Sequence, residues 1–276
     1  MPYDWPPLVP GDAEEVARRV AAVLEDAWQR LNARQAAVIT AFADNWRVPH
    51  VLATLEEFKQ AIEAFHRAVD NEATQFVGRQ LPHLYERGAE AATAVTGGRF
   101  GWTLLHRDAL QALAADSYED FLRRSQEAGR MADAFYRAAR AAARREVPLL
   151  AAGNVTARQA SRALAARLAA DHQLSHVVYR NGSRVPVRAW AEAATLAKSA
   201  VAYNAGTLNR AREDGIRWVE VFDGPDCGWT SHSDPDKANR TLRTVDEAAD
   251  WPISHPQCSR SFGPRPDADS QSDKGS

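Results

Sequence analysis

The chain has 276 residues, 45% hydrophobic and 25% charged, which is enough length and apolar content for one large or two modest domains and excludes wholesale disorder. A net charge of −2 confines any nucleic-acid contact to a local patch, and two cysteines exclude a disulfide framework. No apolar run reaches the length of a membrane span and no signal-peptide pattern opens the chain, so a soluble protein made in a reducing cytoplasm is expected.

Residues 1–11 place Tyr3 and Trp5 among four prolines and read as an extended N-terminal arm. From Asp12 the pattern turns helical. Val16, Val20, Val23, Ala27 and Leu31 recur at helical spacing to about Trp46, and Val48-Pro49 breaks the run. A second helix is predicted from Leu55 to Tyr85, with Phe58, Ile62, Phe65, Val69 and Phe76 on one side. Gly97-Gly98 and Gly101 mark a loop, and a short helix follows over Arg107–Ala114.

A long helix is predicted from Ser117 to Val147, stopped by Pro148. Phe121, Ala128, Phe135 and Ala142 form a heptad-spaced apolar seam, and Arg123, Arg130, Arg137 and Arg144 form a second line. Two residues along a helix is a rotation of about 200°, so the arginine line lies nearly opposite the seam. It is either a solvated outer face or a cationic stripe for DNA phosphates or an acidic partner.

Gly153-Asn154 reads as a boundary, and Thr156 with Gln159 makes a capping-box start for a helix to Asp171. Val177-Val178-Tyr179, Asn181-Gly182 and Val185-Pro186-Val187 read as a β-hairpin. A helix over Arg188–Asp214 ends on a capping Gly215, and Ile216–Phe222 reads as a strand. A short helix starts at Thr244, with Glu247 completing its capping box. The fold class is therefore α+β and mostly α: a helical region over 12–152, an α+β domain over 153–266, and a disordered tail over 267–276.

Both cysteines lie near histidines. Cys227 precedes His232 and His255 precedes Cys258, giving C-x4-H and then H-x2-C. Two thiolates and two imidazoles complete a tetrahedral zinc set and leave no open position, so the constellation reads as a structural clip rather than a catalytic centre. Its rivals are two buried thiols with surface histidines, a Cys227–Cys258 disulfide, or a three-ligand site with His232 or His255 as a base for hydrolysis. Asp223, Asp226, Asp234 and Asp236 lie nearby and could bind a hard cation, but acids among Pro, Gly and Ser are ordinary turn formers. There is no His-Glu-x-x-His helix, P-loop or Gly-x-Ser-x-Gly elbow.

Several segments from Arg188 to Arg265 stand out together: Tyr203-Asn204, Gly215-Ile216, the Cys227 and His232 segment, and His255-Pro256-x-Cys258-x-Arg260. On these the chain resembles the Mu F-like family of phage minor head (head morphogenesis) proteins. Many relatives carry a paired-cysteine knuckle where this chain has Cys227 and His232, and some carry a further toxin or enzyme domain that is not expected here. The resemblance implies a non-enzymatic minor capsid protein held in low copy inside the head near the portal. It would assist head assembly, DNA packaging or ejection. Implied partners are the portal protein, the major capsid or scaffolding protein, and packaged double-stranded DNA bound without sequence preference. No membrane or small-molecule substrate is implied. The alternatives are a zinc-dependent nuclease or hydrolase acting on nucleic acid, and a DNA-binding accessory factor.

Overall fold

The computed structural model describes residues 10–44, 48–145, 156–174, 177–178 and 183–268. They are mostly helical, with a small antiparallel sheet near the C-terminal end. The chain divides into two compact units. One comprises Met1–Val20, Thr74–Glu119 and Ala191–Ser276, the other Ala21–Ala73 and Asp120–Trp190. The boundary expected at Gly153-Asn154 lies outside the described residues, as do most of the N-terminal arm, the Asn181-Gly182 turn and most of the polar tail. No helix among the described residues is long and apolar enough to cross a membrane.

Helix α1 spans Pro10–Asp44 and α2 spans Val48–Gln75. Pro49 falls in the first turn of α2, where its missing N–H costs no helical bond, so the expected break is a restart. Of the expected stripe of α1, Val20, Ala27 and Leu31 are buried, together with Ala17, Ala21, Leu24 and Trp28, whereas Val23 is 36% exposed. The single helix expected through Tyr85 contains a π-helical turn at Phe76–Gln80, after which α3 runs over Leu81–Thr96. Pro82 in the first turn of α3 cannot donate to the preceding turn, and the wider π turn takes up the mismatch.

The two helices expected over 107–114 and 117–147 are one: α4 runs from Leu104 to Arg145. The junction Ala114-Ala115-Asp116-Ser117 holds no glycine or proline to stop it. The seam of Phe121, Ala128, Phe135 and Ala142 is buried, and Arg123, Arg130, Arg137 and Arg144 are all exposed. Helix α5 spans Thr156–Asp171.

In the second unit, Trp28 meets Phe65 edge-on at 5.2 Å and Phe58 meets Phe135 at 5.0 Å. Gly129 of α4 lies so close to α2 that a Cβ there would sit 2.4 Å from the His66 ring. The ring donates or accepts through Nδ1 to Ser125 Oγ at 2.8 Å.

Strands β1 (Val177–Val178) and β2 (Arg184–Val185) pair as the expected hairpin. Pro186 lies past β2, and its carbonyl accepts the Trp190 N–H at 3.0 Å at the start of α6, Val187–Glu213. Gly215 ends α6 at φ 72°, with Gly215 N–H on the Arg212 carbonyl and Ile216 N–H on the Ala211 carbonyl. This is the Schellman arrangement that glycine permits.

Strand β3 (Trp218–Phe222) then forms the centre of a sheet ordered β4-β3-β5, with β4 at Leu242–Thr244 and β5 at Ser261–Pro264. Helix α7 (Val245–Asp250) begins with the expected capping box between Thr244 and Glu247. Val219, Val221, Trp229, Val245, Ala248 and Phe262 pack with Leu208, Ala211 and Ile216 into one core.

Within this first unit α3 crosses α6 at backbone contact. A Cβ at Gly88 would lie 1.9 Å from the Tyr203 carbonyl oxygen, and one at Gly206 would lie 2.0 Å from that of Tyr85. Thr207 Oγ1 donates to the Gly88 carbonyl at 3.0 Å, which fixes the register of the crossing.

Candidate metal centre

The site is assembled from two loops at one end of β3 and β5. After β3, Asp223-Gly224-Pro225 turns the chain, and Cys227 N–H closes onto the Gly224 carbonyl at 3.0 Å. The loop returns through Ala238, whose N–H donates to the Cys227 carbonyl at 3.0 Å, and Trp229 N–H donates to Asp236 O at 2.6 Å. Gly228 is required here, because a Cβ would meet the Ser231 carbonyl oxygen at 2.1 Å. The second loop precedes β5, where Cys258 N–H closes a turn onto the His255 carbonyl at 3.0 Å.

These turns bring three donors together. One ligand atom each from Cys227, His255 and Cys258 lies within 4.8 Å of the others. Cys227 Sγ is 3.7 Å from His255 Nε2. Both cysteines are free thiols, 7% and 6% exposed. His232, the fourth predicted ligand, is exposed, and its ring is stacked on that of His255 with centroids 3.8 Å apart and planes at 27°.

Burial pushes the Cys227 thiol up to about 11, with the Asp223 carboxylate adding to the effect. Burial also lowers the His255 imidazole, reinforced by His232. Partial burial thus favours the neutral forms of the Cys227 thiol and the His255 imidazole.

The donor chemistry fits zinc. Two sulfurs and an imidazole suit a borderline-soft ion, and a tetrahedral zinc needs donors about 3.3–3.8 Å apart. The three side chains are close enough to hold a metal ion.

Beneath the three donors lies a fully buried ion pair that composition and spacing did not reveal. Arg260 Nε donates to Asp223 Oδ2 at 2.9 Å, and neither side chain is exposed. The remaining guanidinium nitrogens donate to the carbonyls of Gly228 at 2.6 Å, Trp229 at 2.8 Å and Trp251 at 3.0 Å. Asp223 Oδ1 accepts from Gly224 N–H at 2.9 Å and from Cys258 Sγ at 3.5 Å. The guanidinium carbon of Arg260 lies 5.1 Å from the Trp229 ring centre, and that of Arg243 lies 4.4 Å from it. From α6, Asn204 Nδ2 donates to the Pro252 carbonyl at 2.8 Å and the Arg260 carbonyl at 2.9 Å.

The acidic residues near the cysteines serve separate turns. Asp234 accepts from Thr230 and from Asp236 N–H, which keeps its carboxyl below the usual range. Asp236 takes Arg243 at 2.6 Å, and Asp226 is nearly fully exposed. Their engagement elsewhere favours the turn-forming reading over a hard-cation site.

A second polar cluster in the same unit also escaped sequence reasoning. His106 is buried with Nδ1 2.9 Å from the Tyr85 hydroxyl and Nε2 3.2 Å from Glu213. Asn209 donates to the Tyr85 oxygen at 2.9 Å, and Arg210 donates to Glu213 at 2.7 Å. Burial pushes the Tyr85 phenol up to about 12. For Glu213 burial acts in the opposite sense to the outcome, and hydrogen bonds from His106, Arg210 and Thr103 hold its carboxyl below the usual range. With both ring nitrogens of His106 engaged and the ring enclosed, the cluster fastens α3, α4 and α6 together. Single histidines and tyrosines at helical positions give no signal of such a chain. No family model, curated protein or solved structure matches this chain.

Proposed function

We propose that the protein is a bacteriophage minor capsid protein of the Mu F-like kind, held inside the head by the portal and assisting head assembly or DNA passage. The observation that carries this reading is the clasp around the Cys/His loops. Asn204 holds the carbonyl of Arg260, and Arg260 holds Asp223 and three carbonyls of the surrounding loops. Three of the segments on which the resemblance rests, those of Asn204, Cys227 and His255–Arg260, are thus linked at one place.

In this reading Cys227, His255 and Cys258 hold a structural zinc ion. When bound, it cross-links the loop after β3 to the loop before β5 in a small sheet with little core of its own. The thiols would give up their protons on binding, and the Asp223–Arg260 ion pair holds the two loops that carry them. A structural role fits the setting better than hydrolysis, because the converging side chains are packed against a buried ion pair.

The exposed line of Arg123, Arg130, Arg137 and Arg144 favours an added contact with packaged DNA through phosphates, without sequence reading. Partners are then the portal protein and DNA, with the major capsid or scaffolding protein as neighbours during assembly.

Mass spectrometry of purified DNA-filled heads tests the proposal. The protein is expected at low copy and is expected to copurify with the portal after the capsid shell is dissociated. Heads that assemble, package and infect without it would overturn the reading. Metal-dependent cleavage of DNA by the purified chain, abolished by His232→Ala with fold and zinc content intact, would replace it with the nuclease alternative.

A further inference from the structure

Three converging donors leave a tetrahedral ion one bond short, and the nearest further imidazole lies against the site rather than in it. His232 stacks on His255 with ring centroids 3.8 Å apart and planes at 27°. Imidazole lone pairs lie in the ring plane. Two rings stacked face to face therefore aim their nitrogens side by side, and both cannot converge on one ion without one ring turning.

The main chain around His232 is already fixed. Asp234 N–H donates to the Ser231 carbonyl at 3.0 Å, Thr230 N–H donates to Asp234 Oδ2 at 3.0 Å, and Gly228 bridges to Lys237. The His232 side chain itself is exposed, so its rotation displaces no packed neighbour from the core.

We propose that His232 is a closing ligand: it rests on His255, and a turn of its side chain off that ring would supply the fourth donor to a zinc ion held by Cys227, His255 and Cys258. This inference rests on the zinc reading above. The stack keeps the fourth imidazole beside the site, against the one histidine already among the three donors. His232 is the exposed donor of the four; the two cysteines are buried and His255 is half-buried.

Cobalt(II) titration of the full metal-free chain, followed by visible absorption, tests this. The wild type is expected to give an intense tetrahedral spectrum that added azide does not alter. His232→Ala, and His232→Gln as a polar variant, are expected to bind cobalt at least tenfold more weakly. Their weaker, shifted bands should respond to azide, because a small anion can take the vacated position. Circular dichroism of both variants should match the wild type.

Wild-type spectrum and affinity in both variants would overturn the closing-ligand proposal while leaving the metal site standing. A wild type that develops no cobalt band, or a Cys258→Ser protein that binds as the wild type does, would instead overturn the zinc reading and this inference with it.

Discussion

Asn204 on α6 and Arg260 beside β5 are joined main chain to side chain, with Asn204 Nδ2 donating to the Arg260 carbonyl at 2.9 Å. The Arg260 side chain then reaches the opposite way, to Asp223 and to the carbonyls of Gly228, Trp229 and Trp251. One residue thereby ties α6, both Cys/His loops and the end of β3.

Arg260→Ala is expected to leave Asp223 as a buried unpaired carboxylate and three carbonyls without their donor. The cost is about 3–5 kcal/mol, read as a lower urea midpoint. Arg260→Lys should recover little of it, since an ammonium cannot reproduce a planar fork directed at four acceptors. Stability equal to wild type in the lysine variant would contradict this account of the clasp.

The crossing of α3 and α6 admits no side chain. Gly88→Ala and Gly206→Ala are each expected to destabilise by about 1–3 kcal/mol or more, because the new methyl must displace a carbonyl oxygen. Gly78→Ala, with nothing within 4 Å of a Cβ, serves as the comparison and should cost little. Thermal unfolding of the three variants separates close approach from a general intolerance of alanine.

The metal-free chain should be most stable near neutrality. Cys227 is raised from 9.0 to about 11, so its unfolded form loses the proton first and stability falls as pH rises from about 9 to 11. His255 is lowered from 6.5, so the unfolded form binds the proton first and stability falls as pH drops below about 6.5. Chemical unfolding across pH should show both limbs. The alkaline limb should flatten in Cys227→Ser, and the acid limb should flatten in His255→Gln. Zinc should raise the whole curve above about pH 6 and lose its effect in acid, where protons compete for the donors.

If the arginine line meets DNA, replacing Arg123, Arg130, Arg137 and Arg144 together with glutamine should weaken binding equally for all sequences. The slope of log affinity against log salt should fall by up to about 3–4 units. The fold should be unchanged, since all four side chains are exposed. Unaltered salt dependence would assign the line to solvent.

Much of the helical architecture was legible because an amphipathic helix repeats its signal over many turns. The seam of Phe121, Ala128, Phe135 and Ala142 and the Gly215 cap are examples. The π turn at Phe76–Gln80 was not legible, since it depends on how Pro82 is accommodated rather than on any residue within the turn. Strands β4 and β5 are three and four residues long, too short for alternation to register.

At the site, local turns made the pairing of Cys227 with the His255 and Cys258 arm foreseeable. The stack of His232 on His255 and the ion pair of Asp223 with Arg260 were not. Both depend on which side chains meet after two distant loops converge, and Asp223 in an Asp-Gly-Pro sequence looks like any turn former.

The interleaving of the two units bears on the order in which they can form during synthesis. Every stretch of the unit built from Ala21–Ala73 and Asp120–Trp190 has been made before Ala191 is added. The other unit must wait, because Gly88 has no Tyr203 to pack against and Asp223 has no Arg260 until the last third of the chain emerges. A ribosome stalled between those points would therefore carry every segment of one unit and only the first segments of the other.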